Sequence, residues 1–378
     1  MPAETQLDTG LVPAAEKVRI LAAEHAAEAD RTGTLSPDVV DALRTAGFAR
    51  HFVARSWGGT EGTFAELTRA VLTLGEVCPA TAWCASLSAY SARFTGHLPA
   101  RGHQAVWGTG PDPVIATALM PGGRAVPDGD GDGWRLTGRW AYVSGIDFAD
   151  RVLVCATVPG GPDGGDGPPP MRFFALPRAA CTVERTWDNV GMRATGSHTV
   201  SVDGLAVPGH LSFDRADMLA GRSADSDVPA HHVPFQAVGG LTFIAPVVGA
   251  AAGALAASAA TMSGRRRSPA NELLLVRASG RIDAARHLVE ENAEVLDERR
   301  FTPAHMARNE RNATFAAELC TDAVGLLVRA AGTGGLGESA PLQRLWRDVT
   351  SAAGHIALQY DTAARKNYAA VLIGAAGV

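Results

Sequence analysis

With 378 residues, 46% of them hydrophobic and 19% charged, the chain is long enough for two or three packed units and carries no mark of disorder. A net charge of -5 excludes a basic face for nucleic acid. Five cysteines without zinc spacing or even pairing point to reduced thiols and a cytoplasmic setting, and residues Met1 to Gly10 show no signal or transit peptide.

The first third reads as helical. Ala14 to Ala29 places Val18, Leu21 and Ala22 at helical spacing; Ser36, Pro37 and Gly47 punctuate a second helix; Phe64 to Glu76 and Thr81 to Gly96 give two more. From Asp112 to Pro208 the period changes to two, with strands expected at Val114 to Leu119, Trp134 to Thr137, Val152 to Thr157, Met171 to Leu176 and Thr199 to Val202. Pro159 to Pro170, nearly all Gly, Pro and Asp, reads as an exposed loop. Beyond it, helices are expected at Leu241 to Met262, Glu272 to Glu298, Ala307 to Ala331 and Pro341 to Leu372.

This segregation predicts an α+β fold: an N-terminal helical domain (1–111), a middle β sandwich or barrel (112–208), and a connecting segment with a C-terminal four-helix bundle (209–378). Val228 to Gly264 has no charged residue, yet it is built from Ala, Gly, Ser and Thr and holds Pro234 and Pro246. It fits a helix buried by protein, approached closely at Gly249 and Gly253, better than a membrane span. So apolar a helix also predicts assembly, as a homotetramer.

No GxGxxG follows a strand, and no P-loop, HExxH or GxSxG is present, so Rossmann, metalloprotease and α/β-hydrolase chemistry are disfavoured. Asp348, Ser351 and His355 would share one helix face, where a histidine either serves a cavity as a base or bonds a neighbouring helix. Ser144 before Gly145 reads as a turn serine or a ligand contact; Trp83, Ser86 and Trp140 read as core or as the wall of a flat-ring pocket. Arg265, Arg266 and Arg267 form a solvated face or a phosphate site. Neither a metal cluster nor a nicotinamide-binding pattern is evident.

Five segments in order, Leu35-Ser-Pro-Asp-Val-Val-Asp-Ala-Leu43, Ala80-Thr-Ala-Trp-Cys-Ala-Ser86, Gly138-Arg-Trp-Ala-Tyr-Val-Ser-Gly145, Gly191-Met-Arg-Ala-Thr-Gly-Ser197 and Leu345-Trp-Arg-Asp-Val-Thr-Ser-Ala-Ala-Gly-His355, carry a family likeness. The chain resembles the acyl-CoA dehydrogenase fold, most closely its two-component, reduced-flavin monooxygenase branch and the actinorhodin-type aromatic polyketide hydroxylases. The resemblance implies reduced FMN, or FAD, as cofactor, dioxygen as oxidant, a separate NAD(P)H-dependent flavin reductase, and hydroxylation of a polycyclic aromatic through a flavin hydroperoxide. It implies that Ser144 approaches the flavin N5 and that His355 faces the flavin as a base. It also implies that Ser86, Trp83 and Trp140 line the ring, and that Arg265 or Arg266 meets its phosphate.

Ala353 stands where one group of dehydrogenases carries its base, which argues against acyl-CoA dehydrogenation. Ser91 replaces a histidine of the phenolic-acid hydroxylases, and His231, His232 and Phe235 are expected near the substrate entrance. An amino-sugar N-oxygenase and a dehydrogenase-like oxidoreductase remain the alternatives.

Overall fold

The computed structural model describes residues 10–129, 131–160, 169–263 and 268–375. Five helices open the chain: α1 (Leu11–Thr32), α2 (Pro37–Ala46), α3 (Phe64–Gly75), α4 (Pro79–Thr95) and α5 (Ala100–Trp107). The punctuation around α2 works as its residues dictate. Ser36 Oγ accepts the Val39 N–H (3.4 Å), Pro37 opens the helix, and Gly47 turns left-handed (φ 90°). The short α5 has too little periodic sequence to announce itself.

Seven strands follow: β1 (Ile115–Pro127), β2 (Trp134–Val143), β3 (Arg151–Thr157), β4 (Met171–Pro177), β5 (Thr182–Glu184), β6 (His198–Val207) and β7 (Ser212–Asp214). They form one hydrogen-bonded sheet in the order β5-β6-β2-β1-β3-β4-β7, wrapped on an apolar core that includes Leu136, Trp140, Val154, Phe174 and Val200. The bend lies in β1, which pairs with β3 from Ile115 and with β2 only from Gly123, its register shifting on either side of Pro121. The boundary at Pro208 is corrected, because β7 pairs with β4 beyond it. β5 and β7, three residues each, are too short to show alternation. Most of the loop expected at Pro159 to Pro170 lies outside the described residues.

After α6 (Arg215–Ala220) and α7 (Phe235–Val238) come α8 (Leu241–Ser263), α9 (Pro269–Asp297), α10 (Pro303–Ala331) and α11 (Pro341–Ala353), then α12 (Arg365–Ala375). The apolar stretch Phe235–Ser263 is long enough to cross a membrane, but 83% of its most apolar window is buried by protein. It is a core helix, flanked by α3, α4, α9, α10 and α11. Its glycines meet α3 backbone to backbone: a Cβ on Gly249 would lie 2.9 Å from Gly75 Cα, and one on Gly253 would overlap the Glu76 carbonyl.

The helix expected from Pro341 to Leu372 is corrected too. It stops at Ala353, passes through a 3-10 turn (Ile356–Leu358) and a π turn (Tyr360–Ala364), and resumes only as α12. All five cysteines are free and buried.

Candidate active site

Two bends of the β domain face the ends of two helices. Tyr142 takes a left-handed conformation (φ 62°) at the end of β2, and Gly145 another (φ 75°), so Ser144 stands out of the ladder between them. Opposite lies the 191–197 loop, where Met192 (φ 54°) and Gly196 (φ 52°) are left-handed as well. The Gly145 N–H donates to the Thr195 carbonyl (2.8 Å) and ties the bends together.

The hydroxyls so placed form a chain. Trp83, from α4, donates Nε1–H to Ser144 Oγ (3.2 Å); Ser144 and Ser197 hydroxyls are 2.7 Å apart, as are those of Ser197 and Thr195. Thr195 Oγ1 donates to the Met192 carbonyl at 2.9 Å. Across from Ser144, Phe243 in the first turn of α8 stacks on His355 with centroids 3.8 Å apart and planes at 28°. Trp83 meets Phe243 at 5.2 Å and His355 edge-on at 5.7 Å.

His355 therefore faces the cluster, but not from the helix face expected. It lies past the end of α11 and caps the following turn, with Nδ1 accepting the Ala357 N–H (3.2 Å). A neutral ring bonded in this way carries its hydrogen on Nε2. Burial lowers its pKa to about 4, so the ring is neutral at pH 7. As placed, His355 offers a hydrogen through Nε2, whereas the sequence pattern suggested an acceptor.

Asp348 does not join this face. Its buried carboxylate accepts the Met192 N–H (2.6 Å) and holds that residue in a conformation costly for a non-glycine side chain. A Cβ on Gly191 would overlap the Arg347 carbonyl, which shows how closely the loop lies on α11. Burial raises the Asp348 pKa to about 6, against the opposing Met192 bond. The native state thus holds a proton the unfolded chain releases, and stability falls as pH rises from about 4 to about 6. Asp348→Asn keeps an acceptor for Met192 and loses the charge. Its stability relative to the parent is expected to rise by up to ~3 kcal/mol between pH 4 and pH 7. Denaturation at several pH values checks this, and a pH-independent difference refutes it.

Several expected site residues lie elsewhere. Trp140 is corrected: it fills the core of the β domain over Gly122, Gly123 and Gly138, and donates Nε1–H to the Cys155 carbonyl (2.6 Å). Ser86 is buried and donates to the Thr242 carbonyl (2.7 Å), which fixes the start of α8 beside Phe243 rather than meeting a ligand. His231 is corrected as an entrance residue; Nε2 donates to the Phe52 carbonyl (2.8 Å), Nδ1 accepts from Ser226 Oγ (2.7 Å), and burial holds its pKa well below the usual value. His232 donates to the Ser226 carbonyl (2.6 Å), and Phe235 packs near Phe94. Ser91 is buried and accepts from Thr117 Oγ1 (2.8 Å). Arg265, Arg266 and Arg267 lie outside the described residues.

Sequence reasoning missed Phe243, Thr195 and Ser197. Phe243 is hidden in an apolar run that reads as core, while both hydroxyls sat in a segment valued only for its likeness. Indole, phenyl and imidazole faces beside a half-buried hydroxyl suit a flat heteroaromatic with a polar edge. That is the chemistry of an isoalloxazine.

Residues 241–360 match the acyl-CoA dehydrogenase C-terminal domain family. The chain is 31% identical over 343 residues to the flavin-dependent monooxygenase oxygenase subunit HsaA of Mycobacterium tuberculosis, covering 85% of each chain. The chain belongs to the flavin-dependent monooxygenase oxygenase-subunit family. This oxygenase is also 28% identical to the FADH(2)-dependent resorcinol hydroxylase oxygenase component of a Rhizobium species, over 95% of this chain and 93% of that one. Among solved structures, XiaF from Streptomyces, in complex with FADH2 and glycerol, superposes with a TM-score of 0.88 at 28% identity, covering 96% and 95% of the chains. In the oxygenase Ala353 leaves no carboxylate at that point of α11, and its donor set of hydroxyls, indole and imidazole fits reduced flavin.

Proposed function

We propose that the oxygenase takes reduced FMN, or FAD, from a separate NAD(P)H-dependent flavin reductase and uses dioxygen to hydroxylate an aromatic substrate. The observation that carries this is the meeting of Ser144, Trp83, Phe243 and His355 at one patch between the β domain and the bundle. Reduced flavin supplies two electrons, so that one oxygen atom of dioxygen enters the substrate and the other leaves as water. Trp83 and Phe243 give the flat ring an apolar wall, and Ser144 supplies its polar contact. His355, neutral and carrying its hydrogen on Nε2, donates to the substrate oxygen and favours its anionic form, which makes the ring a better nucleophile.

The substrate we read as polycyclic, of the polyketide type. The likeness of the five sequence segments to the aromatic polyketide hydroxylases supports that reading. Anaerobic titration of the purified chain with reduced FMN is expected to show binding. Turnover with NADH or NADPH is expected only when a reductase is added. Failure to bind reduced flavin, or equal turnover by the chain alone, overturns the reading.

We further read the assembly as a homotetramer in the cytoplasm. Phe315, Trp346, Ile356, Leu372 and Ile373 leave exposed apolar surface on the bundle that neighbouring copies would cover. Light scattering on the eluting protein is expected to give a four-chain mass, and a monomer overturns it.

A further inference from the structure

The hydroxyl chain beneath Ser144 has a direction, because each end can play only one role. Trp83 Nε1–H is a donor only, and the Met192 carbonyl is an acceptor only. Each hydroxyl between them has one hydrogen to give. If Thr195 donates to Met192, its oxygen is left to accept from Ser197, and Ser197 in turn accepts from Ser144. All four bonds are then made at once, and the hydrogen of Ser144 is committed inward. Thr195, Ser197 and Trp83 are all buried, so no water competes for these roles. Ser144 itself is half-buried and keeps one lone pair that none of these bonds uses.

We infer that Thr195 and Ser197 are specificity-determining residues that hold Ser144 as a hydrogen-bond acceptor, and so select the reduced flavin over the oxidised one. The two redox forms differ at N5: reduced flavin carries a hydrogen there to donate, while oxidised flavin offers only a lone pair. An acceptor at Ser144 matches the first and repels the second. To donate outward, Ser144 must reverse the chain, and reversal gives up the bond from Thr195 to Met192. The loss of one net hydrogen bond corresponds to about fivefold in affinity. The inference rests on the reading that places a flavin at Ser144, and adds a means by which spent cofactor is released.

Thr195→Val isolates the effect. It removes the chain's last donor and acceptor while keeping the side-chain shape, and the Met192 carbonyl keeps the Trp187 Nε1–H (3.0 Å) and the residue 195 N–H (3.2 Å). Ser197 is then free to donate to Ser144, and Ser144 to donate outward. Thr195→Ser restores the direction, and Ser197→Ala frees the Ser144 hydrogen by a second route.

The measurement is the dissociation constant of reduced FMN, under anaerobic conditions, and of oxidised FMN, by fluorescence, for the parent and each variant. Thermal melting confirms that each is folded. The expected result is a fall of about fivefold in the preference for reduced flavin in Thr195→Val and Ser197→Ala, mainly through tighter oxidised FMN, with the parent ratio kept in Thr195→Ser. An unchanged ratio in both folded variants, with the parent still binding reduced FMN, overturns the inference and leaves the proposed function standing. A parent that binds neither form overturns both.

Discussion

Replacing His355 by asparagine is expected to slow hydroxylation by ~10²-fold or more while the fold keeps its stability. The choice follows from the cap that the residue makes and the substrate contact proposed for it. Its Nδ1 caps the turn Ile356–Leu358 through the Ala357 N–H, and asparagine is among the better caps. Its Nε2–H has no partner among the described residues and is free for the substrate. His355→Asn keeps the cap and loses the contact. His355→Ala loses both, and should cost a further 0.5–2 kcal/mol of stability. Single turnovers from preloaded reduced flavin, with product counted directly, separate the chemical step from flavin supply. A rate for His355→Asn within threefold of the parent would remove His355 from the reaction. The low pKa adds a sign: because the folded ring resists protonation until about pH 4, no activity limb near pH 6.5 should come from it. The same depression makes acid destabilising between about pH 6.5 and pH 4, where the unfolded histidine takes up a proton and the folded one does not.

Ser144→Ala should fail in a different way. Its loss removes the polar contact proposed for the flavin edge and takes one partner each from the Trp83 Nε1–H and the Ser197 hydroxyl. Substrate still binds, but the ratio of hydroxylated product to hydrogen peroxide is expected to fall ~10-fold, the equivalent of one good hydrogen bond. Ser144→Thr, which keeps the hydroxyl, should restore most of the coupling. Peroxide and product measured per reduced flavin consumed decide the matter, and parent-like coupling in Ser144→Ala would dissociate this residue from the flavin.

Local residue chemistry shows why parts of this protein are legible without coordinates and others are not. Ser36, Pro37 and Gly47 specify the limits of α2 by themselves, and the uncharged run around Gly249 and Gly253 identifies a core helix, because both signals are local. The end of α11 is not local. Nothing in Ala353, Gly354 and His355 forbids another turn; where the helix ends, His355 instead caps the next turn and stacks on Phe243 of α8, a partner more than a hundred residues away. Trp140 misled for the opposite reason. Its neighbours resemble a cofactor segment, but three glycines on adjacent strand positions make a slot that an indole fills from within the β domain. Thr195 and Ser197 matter through a direction of hydrogen bonding, and that is a property of partners brought together from three separate stretches of chain.

The crossing of α3 and α8 also has a mechanical consequence. Gly75 and Gly249 leave the two backbones in contact, and Glu76 blocks any side chain at Gly253, so the N-terminal helices and the bundle cannot slide past each other without a collision. They act as a single anvil. The sheet is fastened to that body near the site by polar contacts, Ser144 on Trp83, Thr117 on Ser91 and Met192 on Asp348, and by the apolar core in which Met192 and Ala194 pack with the helices. Trp83, Phe243 and His355 are thereby held in register with one another by the rigid side of the site.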